Sequence, residues 1–389
     1  MTRIELKTAF LLAGIYASRM LGLFLIFPTF SVLAKELDNV TPMKIGLALG
    51  IYSLAQAVLQ IPAGVLSDII GRKKVLFGGL ALFLLGSLLG TVSQDIDTII
   101  IARLLQGMGA VSPVCLAYVA DGIRGTEHGK AMAIIGVSIA TSFVVSFILG
   151  AMIGSLNGLF MLMSCLAVLA LLFAYALPKV EQSLSVFNIA DFIRVAKNSR
   201  LFFVNLQVAL LHMTLSASFY LIPLLLKQGL PDSSRLTLYI PGIVIAFILV
   251  LPIIRRSRDN VAAKLPIFWG GFAIAIGLFA TTLAFTSVWL FAVVLGLFFF
   301  AFSFIEAMLP ARLFQLASDT SRGATSGIFS VYQYGGGFFG GLLGAKLYTT
   351  LSVNGTIQSG FYLLAVIAAF VATAGFFIHS QQKKVNYGK

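Results

Sequence analysis

The chain reads as an all-α membrane protein of twelve transmembrane helices in two six-helix, pseudo-symmetric halves. Three observations predict this. Apolar residues fill 59% of 389 positions and charged residues only 11%, against about 25% charged and about 45–50% apolar in a soluble domain. The apolar residues come in runs of about 20, the length needed to cross hydrocarbon. Lys and Arg recur in small clusters between those runs. An unpaired backbone group is too costly in lipid, so each run is a helix or a closed-barrel strand. Run length and the lack of strict alternation select helices.

The runs predict helices over 8–33, 43–67, 75–93, 97–120, 130–154, 157–177, 201–226, 236–254, 265–285, 287–310, 323–349 and 357–379. The first reads as a span rather than a cleaved leader, because it continues past Arg19 to Leu33 without a small-residue cleavage site. With both termini placed in the cytoplasm, twenty of the 27 Lys and Arg fall in cytoplasmic segments and four in outer loops. That asymmetry sets the orientation. The longest polar connection, 178–200, divides the chain into an N-terminal half, 1–177, and a C-terminal half, 201–389. Positions 186–196 within it alternate apolar and charged residues at helical spacing, which predicts an amphipathic helix on the cytoplasmic face. Two halves of six helices suggest a duplicated transporter.

The net charge of +13 is spread over these clusters and forms no nucleic-acid-binding patch. Cys115 and Cys165 lie inside apolar runs and read as small hydrophobes, not a disulfide. The three histidines are far apart, so neither a metal site nor a cofactor is expected. No phosphate-binding loop for an ATP-driven pump occurs. The rival of a membrane-embedded enzyme finds neither G-x-S-x-G nor H-E-x-x-H in the chain.

Charges inside helices are the best pointers to mechanism, since an arginine at a helix centre costs about 2.5–3.5 kcal/mol even on the low scale. Arg19 follows Lys7, and His212 follows Arg200, by twelve residues, about 18 Å of helix. They sit on the first helix of each half. Arg103 lies six residues from Asp97, about 9 Å, close enough that it could snorkel outward. Glu306 lies six residues from Arg312 and reads equally as a proton carrier or a helix-end charge. Small residues repeat at every fourth position at Ser142, Ser146, Gly150 and Gly154, and again at Gly336, Gly340 and Gly344. Both series predict close helix packing.

The segment 64–74, with Gly64, Asp68, Gly71, Arg72, Lys73 and Lys74, resembles the signature loop of the major facilitator superfamily. Asp121 and Arg124 look like a second element of that family. Arg103, Gln106, Gly107 and Gly109 are similar to its arginine motif on the fourth helix. Residues 18–22, 51–56, Gln60 to Pro62 and Glu306 to Pro310 look closest to the YajR-type branch, grouped with proton-coupled drug antiporters. The resemblance covers the whole chain. It implies a proton-coupled secondary transporter in the inner (cell) membrane, acting as a monomer on a small drug-like solute or metabolite by alternating access, with export as its direction. It further implies that Gly64, Asp68, Gly71, Arg72, Asp121 and Arg124 form a conformational latch. Arg19, Arg103, His212, Gln60 and Tyr332 become candidate substrate contacts, and His212 and Glu306 candidate proton carriers. The fifth-helix antiporter signature ends in Gly-Pro, whereas here Gly150 is followed by Ala151. The alternative that this departure leaves open is import of an anionic metabolite or a siderophore.

Overall fold

A computed structural model of the chain describes residues 1–180, 189–229, 239–257, 261–282, 288–317, 322–354 and 358–387. Every element is helical: α1 (Arg3–Phe24), α2 (Phe30–Leu33), α3 (Pro42–Ile70), α4 (Arg72–Val92), α5 (Ile96–Met108), α6 (Ser112–Gly122), α7 (His128–Met152), α8 (Leu156–Ala176), α9 (Ile189–Ala196), α10 (Ser199–Gly229), α11 (Tyr239–Ser257), α12 (Val261–Thr282), α13 (Val288–Leu316), α14 (Arg322–Asn354) and α15 (Gln358–Tyr387), with two short 3-10 turns. Among the described residues ten spans are long and apolar enough to cross a membrane, α5 and α6 counting together as one of them. Helices α11 and α14, of 19 and 33 residues, supply the other two of the twelve. Predicted positions 186–188, 236–238, 283–285, 287 and 357 lie outside the described residues.

The chain divides into two compact units, Met1–Asn188 and Ile189–Lys389. In unit 1 the helix starts carry their own caps. Thr2, Thr41, Asp95 and Ser155 each accept a hydrogen bond from a first-turn backbone N–H, so those orphan donors are satisfied. Gly71, at φ 109°, turns the chain from α3 into α4 in one residue, a conformation that favours glycine.

Two predicted continuous helices are broken. The first stops at Phe24 and resumes at Phe30, across Pro28, whose missing N–H and ring interrupt a helix. The fourth stops at Met108 and resumes at Ser112, between Gly109 and Pro113. Both breaks free backbone carbonyls within the span.

Close packing tracks the small residues. A Cβ on Gly336, Gly340 or Gly344 of α14 would collide with Ala209, Met213, or Ala217 and Tyr220 on α10. A Cβ on Gly150 would strike the Leu25 carbonyl beside the first break. Gly154 meets nothing within 4 Å, so the fifth-helix seam ends at Gly150. In unit 2, α9 buries Val195 and leaves Ile189 and Ile193 exposed.

This packing generates a stability prediction. Gly340→Ala should cost about 1–3 kcal/mol by overpacking and lower the unfolding temperature. Gly335→Ala, where a Cβ meets nothing within 4 Å, should be neutral or stabilise by up to about 1 kcal/mol. Thermal unfolding of the purified variants checks both; equal shifts would mean that α10 and α14 are not in tight register.

Candidate functional site

Three polar clusters stand out, two in unit 1 and one in unit 2. The first lies at the α3–α4 turn. Arg72 pairs with Asp68, one turn away, and with Asp121 at the end of α6, Nε to Oδ2 2.9 Å. It also donates to Ser67 Oγ at 2.7 Å, and Ser67 donates to the Gly64 carbonyl at 2.7 Å. Asp121 is 1% exposed and Arg72 5%. A buried charge stripped of its partner is strongly destabilising. Lys73 donates to the carbonyls of Tyr175 and Leu177, 2.8 and 2.9 Å, where α8 ends, a favourable place for a cation. The structure thus brings Asp68, Arg72 and Asp121 together with Gly64 and Gly71. Arg124 belongs elsewhere: it forms a bidentate pair with Glu5 of α1, Nε to Oε1 2.8 Å and Nη2 to Oε2 3.1 Å. The sequence gives no local sign of Glu5 as the partner, because 119 residues separate the two.

The second cluster is built at the break in the fourth helix. Arg19 donates to the Gly109 carbonyl, freed at the end of α5, and to the Tyr52 hydroxyl at 2.9 Å. Its guanidinium lies 4.9 Å from the Phe83 ring centroid. Arg103 does not snorkel. It is fully buried, donates to Gln106 Oε1 at 2.8 Å, and stacks 4.6 Å from the Tyr52 ring centroid. Gln106 in turn donates to Ser87 at 2.8 Å, so a hydrogen-bond partner on α4 competes successfully with the interface. A Cβ on Gly107 would strike the Tyr52 carbonyl, so α3 and α5 touch only because that residue is glycine. Neither arginine has an ion-pair partner among the described residues. Arg103 Nε and Nη2, both ends of the Gln56 amide, and Gln60 Oε1 are buried without a partner. Gln56 enters the sequence reading only as the end of the 51–56 stretch and not as a candidate contact.

The third cluster joins three helices of unit 2. His212 Nε2 on α10 lies 3.0 Å from Glu306 Oε2 on α13. Gln333 on α14 puts its Nε2 2.8 Å from Glu306 Oε1 and 2.9 Å from His212 Nε2. The side chains of His212 and Glu306 are 19% and 34% exposed, open enough for proton exchange. Donor counting restricts their protonation. A carboxylate only accepts, and a bare imidazole nitrogen only accepts. The 3.0 Å contact therefore holds one proton, on His212 or on Glu306. With the proton on Glu306, Gln333 donates to both partners and all three contacts run from donor to acceptor. With it on His212 Nε2, the Gln333–His212 contact sets donor against donor and Gln333 must withdraw. Tyr332, its neighbour in sequence, points elsewhere and meets the Phe202 ring edge-on, 6.2 Å between centroids. Arg19 and His212 lie in different units, each with its own partners.

The comparisons agree with this architecture. The family model described as Major Facilitator Superfamily matches residues 12–341. The chain is 33% identical over 384 residues to the inner membrane transport protein YajR of Escherichia coli (strain K12), covering 96% of this chain and 84% of that protein. It is 31% identical over 356 residues to an uncharacterized transporter of Buchnera aphidicola subsp. Baizongia pistaciae, covering 87% and 89%. Its structure is similar to that of a mutant nucleoside transporter NupG, with a TM-score of 0.76 at 17% identity over 96% of this chain and 99% of that one.

Arg72→Gln should leave buried carboxylate charge uncompensated and cost about 3–5 kcal/mol, read as a lower unfolding temperature in detergent. An unchanged temperature would mean that Asp68 and Asp121 do not depend on Arg72.

Proposed function

Because the chain belongs to the Major Facilitator Superfamily, and is a multi-pass membrane secondary transporter rather than an enzyme, we propose that it couples proton movement to transport of a small organic solute, a drug-like compound or a metabolite. The reading places it in the inner membrane as a monomer with both termini cytoplasmic. The observation that carries it is the His212–Glu306 pair, 3.0 Å apart and braced by Gln333. A proton shared with a carboxylate of a second helix ties protonation to the relative position of α10 and α13. Arg72, Asp68 and Asp121 serve as a latch that makes and breaks during alternating access. An Arg72→Gln protein that reaches the membrane should therefore transport poorly.

Export is the direction suggested by the resemblance to drug antiporters. A second reading, import of an anionic metabolite or siderophore, is favoured by Arg19 and Arg103. Two buried guanidiniums without a carboxylate, with the unpartnered Arg103 N–H groups and the Gln56 and Gln60 amides of α3, suit an anionic group. Gln60, on α3 with Gln56, belongs to the same set of proposed contacts.

Two experiments test these statements. Glu306→Gln should abolish accumulation driven by a pH gradient in proteoliposomes while solute exchange persists. Undiminished accumulation would reduce Glu306 to a structural charge. Flux in inverted and right-side-out vesicles gives the direction. Efflux of cationic or neutral drugs supports export; uptake of an anion, weakened by Arg19→Ala, supports the second reading.

A further inference from the structure

Helix α6 is a half-helix of 11 residues, cut off from α5 by the break between Gly109 and Pro113. Its direction is therefore not inherited from the helix before it and has to be set by neighbours. Helix α1 supplies three holds. Arg19 donates to the Gly109 carbonyl at the break. The Tyr16 hydroxyl donates at 2.9 Å to the carbonyl of Ser112, the first residue of α6. Glu5 takes the far end by accepting from Arg124, two residues beyond α6. Residues 19, 16 and 5 thus meet 109, 112 and 124, so α1 runs antiparallel to α6 and grips it along its length.

The Glu5 hold has the most bonds. Its Oε1 accepts from the Arg124 backbone N–H at 3.1 Å and from Arg124 Nε at 2.8 Å. Its Oε2 accepts from Arg124 Nη2 at 3.1 Å and from the Thr2 backbone N–H at 2.6 Å. Glu5 is 6% exposed, and a buried carboxylate filled on both oxygens cannot swing away without leaving acceptors unsatisfied. From Arg124 the hold passes to Asp121. Three residues of chain span at most about 10 Å, and the two between are packed. Ile123 is buried in one cluster with Ala9 and Leu12 of α1, and its carbonyl meets His128 Nε2 at 2.7 Å. A Cβ on Gly122 would come within 2.9 Å of Val180. The turn from Asp121 to Arg124 therefore moves as one piece, and Asp121 is the residue that receives Arg72.

We infer that Glu5 is a positioning residue of the latch: through Arg124 it fixes the end of α6 at the place where Asp121 meets Arg72. This rests on the reading of Asp68, Arg72 and Asp121 as a latch. Without the Glu5 hold, α6 is gripped by α1 only at its Gly109 end, and Asp121 swings at the free end of a half-helix.

The test is Glu5→Gln, which keeps an acceptor for the Thr2 N–H at the start of α1 but removes the charge behind the bidentate pair. Hydrogen–deuterium exchange of the purified full chain, read segment by segment, needs no substrate. Exchange should quicken several-fold around Arg124 and also over 66–75, the turn from α3 into α4. Asp121→Asn should quicken 66–75 by itself, and Glu5→Gln added to it should quicken that segment no further, because both act through one contact. Quickening confined to the start of α1 and to 122–128 would overturn the inference and leave Glu5 a helix cap. An additive effect in the double variant, or a 66–75 segment indifferent to Asp121→Asn, would overturn it too. If Glu5→Gln does not fold, Arg124→Gln removes the same hold from an exposed side chain, and unchanged exchange over 66–75 then overturns the inference. The latch reading is judged separately: undiminished transport by Arg72→Gln would sink that reading and leave the exchange result standing.

Discussion

Hydrocarbon offers no water to a free carbonyl or an unpaired charge, and the surroundings of the Gly109 carbonyl are built to meet that constraint. The fourth helix breaks there because Gly109 and Pro113 interrupt it, and the freed oxygen must find a donor inside the protein. Arg19 supplies it from the first helix. Its own charge is then spread over the Tyr52 hydroxyl and the Phe83 ring, and Tyr52 also receives Arg103. Gln106 and Ser87 extend the chain of donors to α4. Glycines at 86 and 107 let the backbones come close enough to make it. One broken helix thus organises a polar core through α1, α3, α4 and α5.

The same constraint acts differently in unit 2. His212, Glu306 and Gln333 come from three helices, and each satisfies the other two only for particular proton positions. Unit 1 keeps its arginines charged at any physiological pH, whereas the unit 2 cluster can change state. The division puts the buried arginines in one half and the His212–Glu306 pair in the other. Tight glycine packing holds α14, and with it Gln333, against α10. A proton gained or lost therefore acts on helices that are otherwise closely registered.

The spans and the division into halves are legible in the sequence because composition and basic clusters are long-range averages, insensitive to single contacts. Asp68 and Arg72 are legible from their spacing around a turn, and Asp121 from the family resemblance. Arg124 goes to a different neighbour than expected because nothing in the local sequence points to Glu5, far away on α1. Depth counting puts Arg103 near the surface, but it ignores hydrogen-bond partners, and Gln106 and Tyr52 hold the side chain inside. Pro28, Gly109 and Pro113 are in plain view as helix breakers, yet the apolar runs that contain them outweigh them. Gln333 escapes a reading of charges because an amide is neutral; its role exists only in the arrangement of three helices.

The central claim is that His212 and Glu306 hold one proton between them and that it moves with pH. Infrared difference spectroscopy on the purified protein, with carbon-13-labelled glutamate and with Glu306→Gln to assign the band, tests it most directly. The expected result is that a protonated Glu306 carboxyl band changes with pH together with a His212 ring band, and that Gln333→Leu separates the two transitions. A Glu306 that stays ionised throughout while His212 titrates alone would contradict it.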